Sequence, residues 1–227
     1  WSPARIIAGA FGSISFIGSI LLYLPWGHMP GQSITYVDAL YTAVSALCVT
    51  GLSIVDTAAV FNPFGQAILA VLIQVGGLGV STMGAGVLLM LGRKVGIRQR
   101  NLIHDTMNLD SYSGVVRFLR TLFATTVFIE IIGAFLGYFV FRRDYEMMES
   151  IGLSIFHSIS SFNNAGLTIL TKERSMEMYA EDPFMLILTT ALVFVGGLGF
   201  IVIRECWVNR FRWCKLSMHS RVSIFMA

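Results

Sequence analysis

Residues 41–54 read YTAVSALCVTGLSI and residues 156–169 read FHSISSFNNAGLTI, two stretches with one layout. Each is a short half-polar segment that closes on a glycine, a leucine and a hydroxyl residue, and Gly51 and Gly166 stand 115 residues apart. A long apolar run precedes each stretch. Another follows it and contains GGLG, at residues 76–79 and again at 196–199. The unit of long span, short segment, glycine loop and long span is therefore present twice, and a repeat governs how every other motif is read. Irregular backbone at membrane depth is tolerated only where it is buried in protein or lines a cavity. A short segment between two spans is a way to place it there.

The membrane assignment follows from composition. The chain has 227 residues, of which 55% are hydrophobic and only 13% charged. A soluble domain carries about twice that share of charge. Four windows reach the roughly 20 apolar residues that a bilayer helix needs: 6–24, 64–91, 119–141 and 184–203. Residues 6–24 are too long for the apolar core of a signal peptide and no small-residue cleavage site follows them, so they read as the first span. The chain closes on SMHSRVSIFMA, where a new apolar run begins, so a continuation is expected. Cys48, Cys206 and Cys214 have no metal or redox spacing and imply no disulfide framework. The net charge of +3 does not point to nucleic acid, because the basic residues gather at membrane borders instead of forming a patch.

Orientation comes from those borders. Residues 92–117 hold Arg93, Lys94, Arg98, Arg100 and Arg117 against Asp105 and Asp110, and residues 204–227 hold five basic residues against Glu205. The stretches within 142–182 hold four basic and seven acidic residues. Basic loops stay cytoplasmic. The connector 92–116 and the tail 204–227 are thus inside, and both glycine segments enter from outside.

The expected organisation is a first helix–pore loop–helix repeat over 1–91, a cytoplasmic connector over 92–116, a second repeat over 117–203, and a cytoplasmic tail over 204–227 leading into a third repeat. A short helix is expected from Asp38 to Leu47, about 15 Å at 1.5 Å per residue, and its counterpart over 151–162. Pro63 and Pro183 precede the second span of each unit, the position proline takes at a helix start. The fold class is an all-α integral membrane protein built from outer helix, re-entrant pore helix, filter loop and inner helix, in the manner of a potassium channel.

If each short helix aims its C-terminal end at a common axis, its macrodipole brings about half a negative charge there. Cys48, Val49, Thr50 and Gly51, with Asn163, Asn164, Ala165 and Gly166, then run extended with carbonyls toward that axis. Rings of such carbonyls replace the hydration shell of a potassium ion, and glycine allows backbone angles that a side chain would penalise. Two carbonyl strands do not close a ring. The chain is expected to be half of a pore.

The stretches ALCVTGLSIVDT, SSFNNAGLTI, QVGGLG and KLSMHSRV resemble the first two repeats of the Trk/Ktr/HKT superfamily, with the bacterial Ktr-type membrane subunit the nearest likeness. The resemblance covers nearly the whole chain. It implies four repeats in one polypeptide, a potassium pathway on their pseudo-fourfold axis, a homodimer in the cell membrane, and a cytoplasmic nucleotide-binding ring as regulator. Gly51 and Gly166 match its filter glycines. Serine in place of the first goes with sodium preference in that family, so glycine at both argues for potassium. The family's gating elements belong to its third and fourth repeats, which have no counterpart here.

Other residues carry two readings each. Glu130 lies inside a span, where a carboxylate is expensive and often functional; a hydrogen-bonded structural role competes with an ion site. Gln74 either faces the pore or bonds to a neighbouring helix. The GGLG runs lack dinucleotide-binding spacing and let helices approach closely, or leave room for a cavity. Asp38 caps the first short helix or draws cations to the mouth, and Asp56 carries the same two readings. His157 reads as packed or hydrogen-bonded, with a catalytic role as the competing reading.

The leading function is potassium uptake through a carbonyl-lined filter, with K+ as substrate ion, Na+ as a possible coupling or activating ion, and no covalently bound cofactor. A sodium-selective or sodium-coupled relative is the alternative in the same class. A non-transporting scaffold would need no matched carbonyl segments, and a membrane enzyme would need catalytic groups gathered at one depth, where the spans offer scattered ones. The basic stretches 93–100 and 204–215 read as membrane anchors or as docking surfaces for a cytoplasmic partner or anionic lipid.

Overall fold

The computed structural model describes residues 3–79, 82–83, 115–170, 176–199, 202–203, 205–206 and 216–226. Its described elements are helices: α1 (Pro3–Tyr23), α2 (Tyr36–Leu47), α3 (Thr57–Val60), α4 (Pro63–Leu78), α5 (Val115–Phe141), α6 (Met147–Phe162), α7 (Pro183–Gly197) and α8 (Met218–Met226), with short 3-10 turns at Pro25–Gly27 and Met176–Tyr179. Among the described residues the β structure amounts to an isolated bridge between His28 and Phe61. The connector 92–114, Cys214 and most of the basic tail lie outside the described residues.

α1 and α5 are long and apolar enough to cross a membrane. Their apolar side chains point outward as well as inward: Phe16, Ile17, Ile131 and Phe135 are each more than half exposed. A helix that is apolar all round belongs in a core or in lipid, and here the outward faces have no protein against them. α2 packs between α1 and α4, and α6 packs between α5 and α7; the two groups meet where α4 lies on α6. Ala39, Ala43 and Ala46 on α2 are fully buried, so small side chains let its neighbours close in. The core then runs on without a break, from Leu22, Phe61 and Ile73 to Phe141, Phe156 and Leu167.

Four of the boundaries differ from the sequence expectation in ways that bear on the site. α2 begins at Tyr36 instead of Asp38, because Thr35 is the N-cap and Asp38 its partner in a capping box. α6 begins at Met147 instead of Ile151, giving 16 residues and about 24 Å. The second spans, expected over 64–91 and 184–203, are interrupted: α4 ends at Leu78 and α7 at Gly197. The cause is the last glycine of each GGLG, since Gly79 has φ +82° and Gly199 φ +84°, outside any right-handed helix. Helical bonding resumes immediately, with the Met83 N–H on the Gly79 carbonyl and the Ile203 N–H on the Gly199 carbonyl. The starts of these helices are as expected. Asn62 accepts from the Phe64 and Gly65 N–H groups and Asp182 from those of Phe184 and Met185, with Pro63 and Pro183 in the first helical turn.

Candidate functional site

The two short helices end in one backbone motif. After α2, the Val49 N–H donates to the Ala46 carbonyl (3.3 Å) and the Thr50 N–H to the Ser45 carbonyl (3.1 Å). After α6, the Asn164 N–H donates to the Ser161 carbonyl (3.1 Å) and the Ala165 N–H to the Ser160 carbonyl (2.8 Å). Both are Schellman caps, which need a left-handed residue just past the helix. Val49 (φ +56°) and Asn164 (φ +59°) supply it. Asparagine tolerates that region; a β-branched valine there is a genuine outlier held by its surroundings. The cap residues also agree, Cys48 at φ −83°, ψ −1° and Asn163 at φ −81°, ψ 0°.

Past the cap each chain turns again at glycine, Gly51 at φ +72° and Gly166 at φ +71°. A serine in the last turn of each helix then ties the following segment down. Ser45 Oγ donates to the Leu52 carbonyl at 2.5 Å and Ser160 Oγ to the Leu167 carbonyl at 2.6 Å. These serines stand 115 residues apart, the same offset as the glycines. The sequence carries this second matched pair beside the glycines.

The glycine turns come face to face. A Cβ placed on Gly51 would stand 2.5 Å from the Ala165 carbonyl oxygen and 3.4 Å from Gly166 Cα. Beside them opens a cavity of about 300 Å³ whose lining includes Gly51, Asp56, Gly166 and Thr168. Asp56 caps α3 through the Ala58 and Ala59 N–H groups (3.1 and 3.2 Å) while lining this cavity. Thr57 Oγ1 donates to the Thr168 carbonyl, a bond that ties the two segments together across 111 residues.

The first glycines of the GGLG runs seat the ends of the short helices. A side chain on Gly76 would overlap the Leu47 carbonyl, and one on Gly196 would overlap the Phe162 carbonyl. Close approach is therefore their role.

The eight residues expected to line a filter fall in two clusters that adjoin. Cys48, Thr50, Asn164 and Gly166 are exposed, Val49 and Gly51 are half-buried, and Asn163 and Ala165 are buried. Asn163 turns its amide away into the helices: Nδ2 donates to Gln74 Oε1 (2.9 Å), Glu130 Oε1 (3.3 Å) and the Ile159 carbonyl (2.9 Å). Gln74 thus bonds to a neighbouring helix, and the Glu130 side chain is hydrogen-bonded inside the bundle. His157 is buried, hydrogen-bonded to Thr189 (3.1 Å) and Ser161 (3.3 Å), and edge-on to Phe141. Among the described residues no group of three or more His, Cys, Asp or Glu is placed to hold a metal ion.

The TrkH family profile, described as a cation transport protein, matches residues 3–220. Among curated proteins, the chain is 34% identical over 224 residues to the Ktr system potassium uptake protein B of Bacillus subtilis, covering 99% of this chain and 49% of that protein. It is 36% identical over 205 residues to the Ktr system potassium uptake protein D of the same organism, covering 90% of this chain and 45% of the relative. It is also 34% identical over 223 residues to the potassium/sodium uptake protein NtpJ of Enterococcus hirae, covering 98% and 49%. The chain spans about half the length of the curated relatives it matches.

Proposed function

Because the chain belongs to the TrkH family of cation transport proteins, we propose that it supplies two of the filter segments of a potassium uptake protein of the cell membrane. In this reading residues 1–91 and 117–203 are two outer helix–pore helix–filter–inner helix units. The connector 92–116 and the tail 204–227 lie on the cytoplasmic side.

The observation that carries the proposal is the pair of matched glycine turns set against each other. Around each turn φ alternates in sign, positive at Val49 and Gly51 and again at Asn164 and Gly166. Alternating right- and left-handed residues turn successive peptide groups the same way, with N–H on one side and C=O on the other. Carbonyls of Cys48 to Gly51 and of Asn163 to Gly166 on one side make a ladder for a dehydrated monovalent cation. The C-terminal ends of α2 and α6 lead into these turns, so their dipoles add partial negative charge there.

Burial supports a pore completed by further chain. Leu167 and Ile169 are 3% and 8% exposed, while Leu52 and Ile54, their partners in the repeat, are 58% and 56% exposed. One flank of the first segment is thus uncovered, as expected when two of four segments are present. The rest of the pore, a homodimer, and a cytoplasmic nucleotide-binding partner at the basic stretches complete the proposal. The name of the Enterococcus hirae relative includes sodium, which keeps Na+ as a second transported or coupling ion.

The test is paired Rb+ and Na+ flux into proteoliposomes holding the full-length protein, with Gly51→Ser as the variant. Preference for Rb+ should fall in the variant. Equal preference in variant and wild type would remove Gly51 from the filter.

A further inference from the structure

Behind the second glycine turn, three polar side chains from three helices meet inside the bundle: Gln74 of α4, Glu130 of α5 and Asn163 at the end of α6. Asn163 Nδ2 has two hydrogens and three acceptors around it, Gln74 Oε1, Glu130 Oε1 and the Ile159 carbonyl. The Gln74 side chain also hydrogen-bonds the Glu130 carboxyl. The amide is clamped from its other side, because Asn163 Oδ1 packs on Gly77 so closely that a Cβ there would overlap it.

The turn itself does not need this brace. Cys48 adopts the same backbone angles in the first copy, yet its side chain is exposed. The counterparts of Glu130 and Gln74 by the repeat offsets of 115 and 120 residues are Ser15 and Phe194, which cannot make the same bonds. A carboxyl group inside an otherwise apolar span is costly, and the first copy makes the same turn without one, so its role lies elsewhere than in folding the turn. Asn163 leads directly into Asn164, Ala165 and Gly166, and any slack at its side chain passes to their carbonyls.

Resting on the filter reading above, we propose that Glu130 and Gln74 are positioning residues: they hold Asn163, and through it they set the preference of the second filter segment for potassium over sodium.

The experiment is paired Rb+ and Na+ flux through the full-length protein in proteoliposomes, with folding checked by thermal unfolding of the purified protein. Glu130→Leu and Gln74→Leu keep volume and remove the bonds. Each should lower the Rb+/Na+ ratio by about fivefold, the scale of one lost hydrogen bond. The double variant should fall further than either single one, because it leaves Asn163 Nδ2 with the Ile159 carbonyl as the one remaining acceptor of the three. Glu130→Gln keeps an acceptor for the amide and should stay within about twofold of wild type.

Folded Glu130→Leu or Gln74→Leu protein with the wild-type ratio overturns the proposal. So does Glu130→Gln as damaging as Glu130→Leu, which would assign the role to the charge itself. If Glu130→Leu fails to fold, the Gln74→Leu result decides alone. Gly166→Ser in the same assay separates the two ideas: a changed ratio there with unchanged brace variants refutes the brace, and an unchanged ratio there refutes the filter.

Discussion

Replacing Gly51 by alanine is the perturbation whose size follows most directly from the geometry. Gly51 sits at φ +72°, and a residue with a Cβ in the left-handed region costs about 1–2 kcal/mol. That Cβ would also stand 2.5 Å from the Ala165 carbonyl oxygen. Carbon and oxygen settle at about 3.3 Å, so the two segments must part by about 0.8 Å. Crowding of this kind adds about 1–3 kcal/mol, for a total of about 2–5 kcal/mol. Gly31 is the control, because it has φ +80° and nothing within 4 Å of its would-be Cβ. Gly31→Ala should therefore carry only the first part, about 1–2 kcal/mol. The assays are thermal unfolding of the purified full-length protein and K+ against Na+ flux in proteoliposomes. Melting temperature should fall in the order wild type, Gly31→Ala, Gly51→Ala. Only Gly51→Ala should lose potassium preference, by about tenfold for each 1.4 kcal/mol of differential binding that the displaced carbonyls forfeit. A Gly51→Ala protein as stable as Gly31→Ala, with wild-type ion preference, would refute the reasoning.

Three further predictions rest on other parts of the fold. Gly76→Ala and Gly196→Ala place a methyl group on the last carbonyl of a short helix and should yield little folded protein by size-exclusion chromatography. Gly152→Ala, in α6 with nothing within 4 Å, should instead raise stability by about 0.5–1 kcal/mol in thermal unfolding. At the start of α7, the Met185 and Phe184 N–H groups and the Arg143 guanidinium hold the Asp182 carboxyl below the usual carboxylate range. A lowered folded-state pKa gives stability that is present above the unfolded value and lost as pH falls through the folded one. The gap in unfolding midpoint between wild type and Asp182→Ala should thus be constant from pH 5 to 8 and close only below about pH 4.

Much of this fold could be read from particular residues, and the misses have physical causes. Pro63 after Asn62 and Pro183 after Asp182 marked two helix starts, because a capping side chain followed by proline is a local signal. Asp38 looks like a cap and so marks a start two residues late, whereas Thr35 and Asp38 form a local capping box in which Thr35 is the N-cap. Glu146 and Glu149 read as loop charges and put the expected start of α6 at Ile151, although acidic residues also suit a helix N-terminus. The breaks at Gly79 and Gly199 were hidden, since the sign of a glycine φ leaves no trace in an apolar run. The brace among Gln74, Glu130 and Asn163 spans 33 and 89 residues and exists only because α4 lies on α6, so neither spacing nor periodicity could reveal it. Glu130 itself stood out as a carboxylate inside a span. Gln74 and Asn163 stand out singly as well, but nothing in the sequence joins the three.

The most direct test of the central claim is an ion-occupancy measurement: crystals of the full-length protein in Rb+ or Tl+, with the anomalous signal located. The account predicts a peak between the two glycine turns, within reach of the carbonyls of Cys48 to Gly51 and Asn163 to Gly166, and none at Glu130. A strong peak at Glu130 and Gln74, with the space between Gly51 and Gly166 empty, would contradict it.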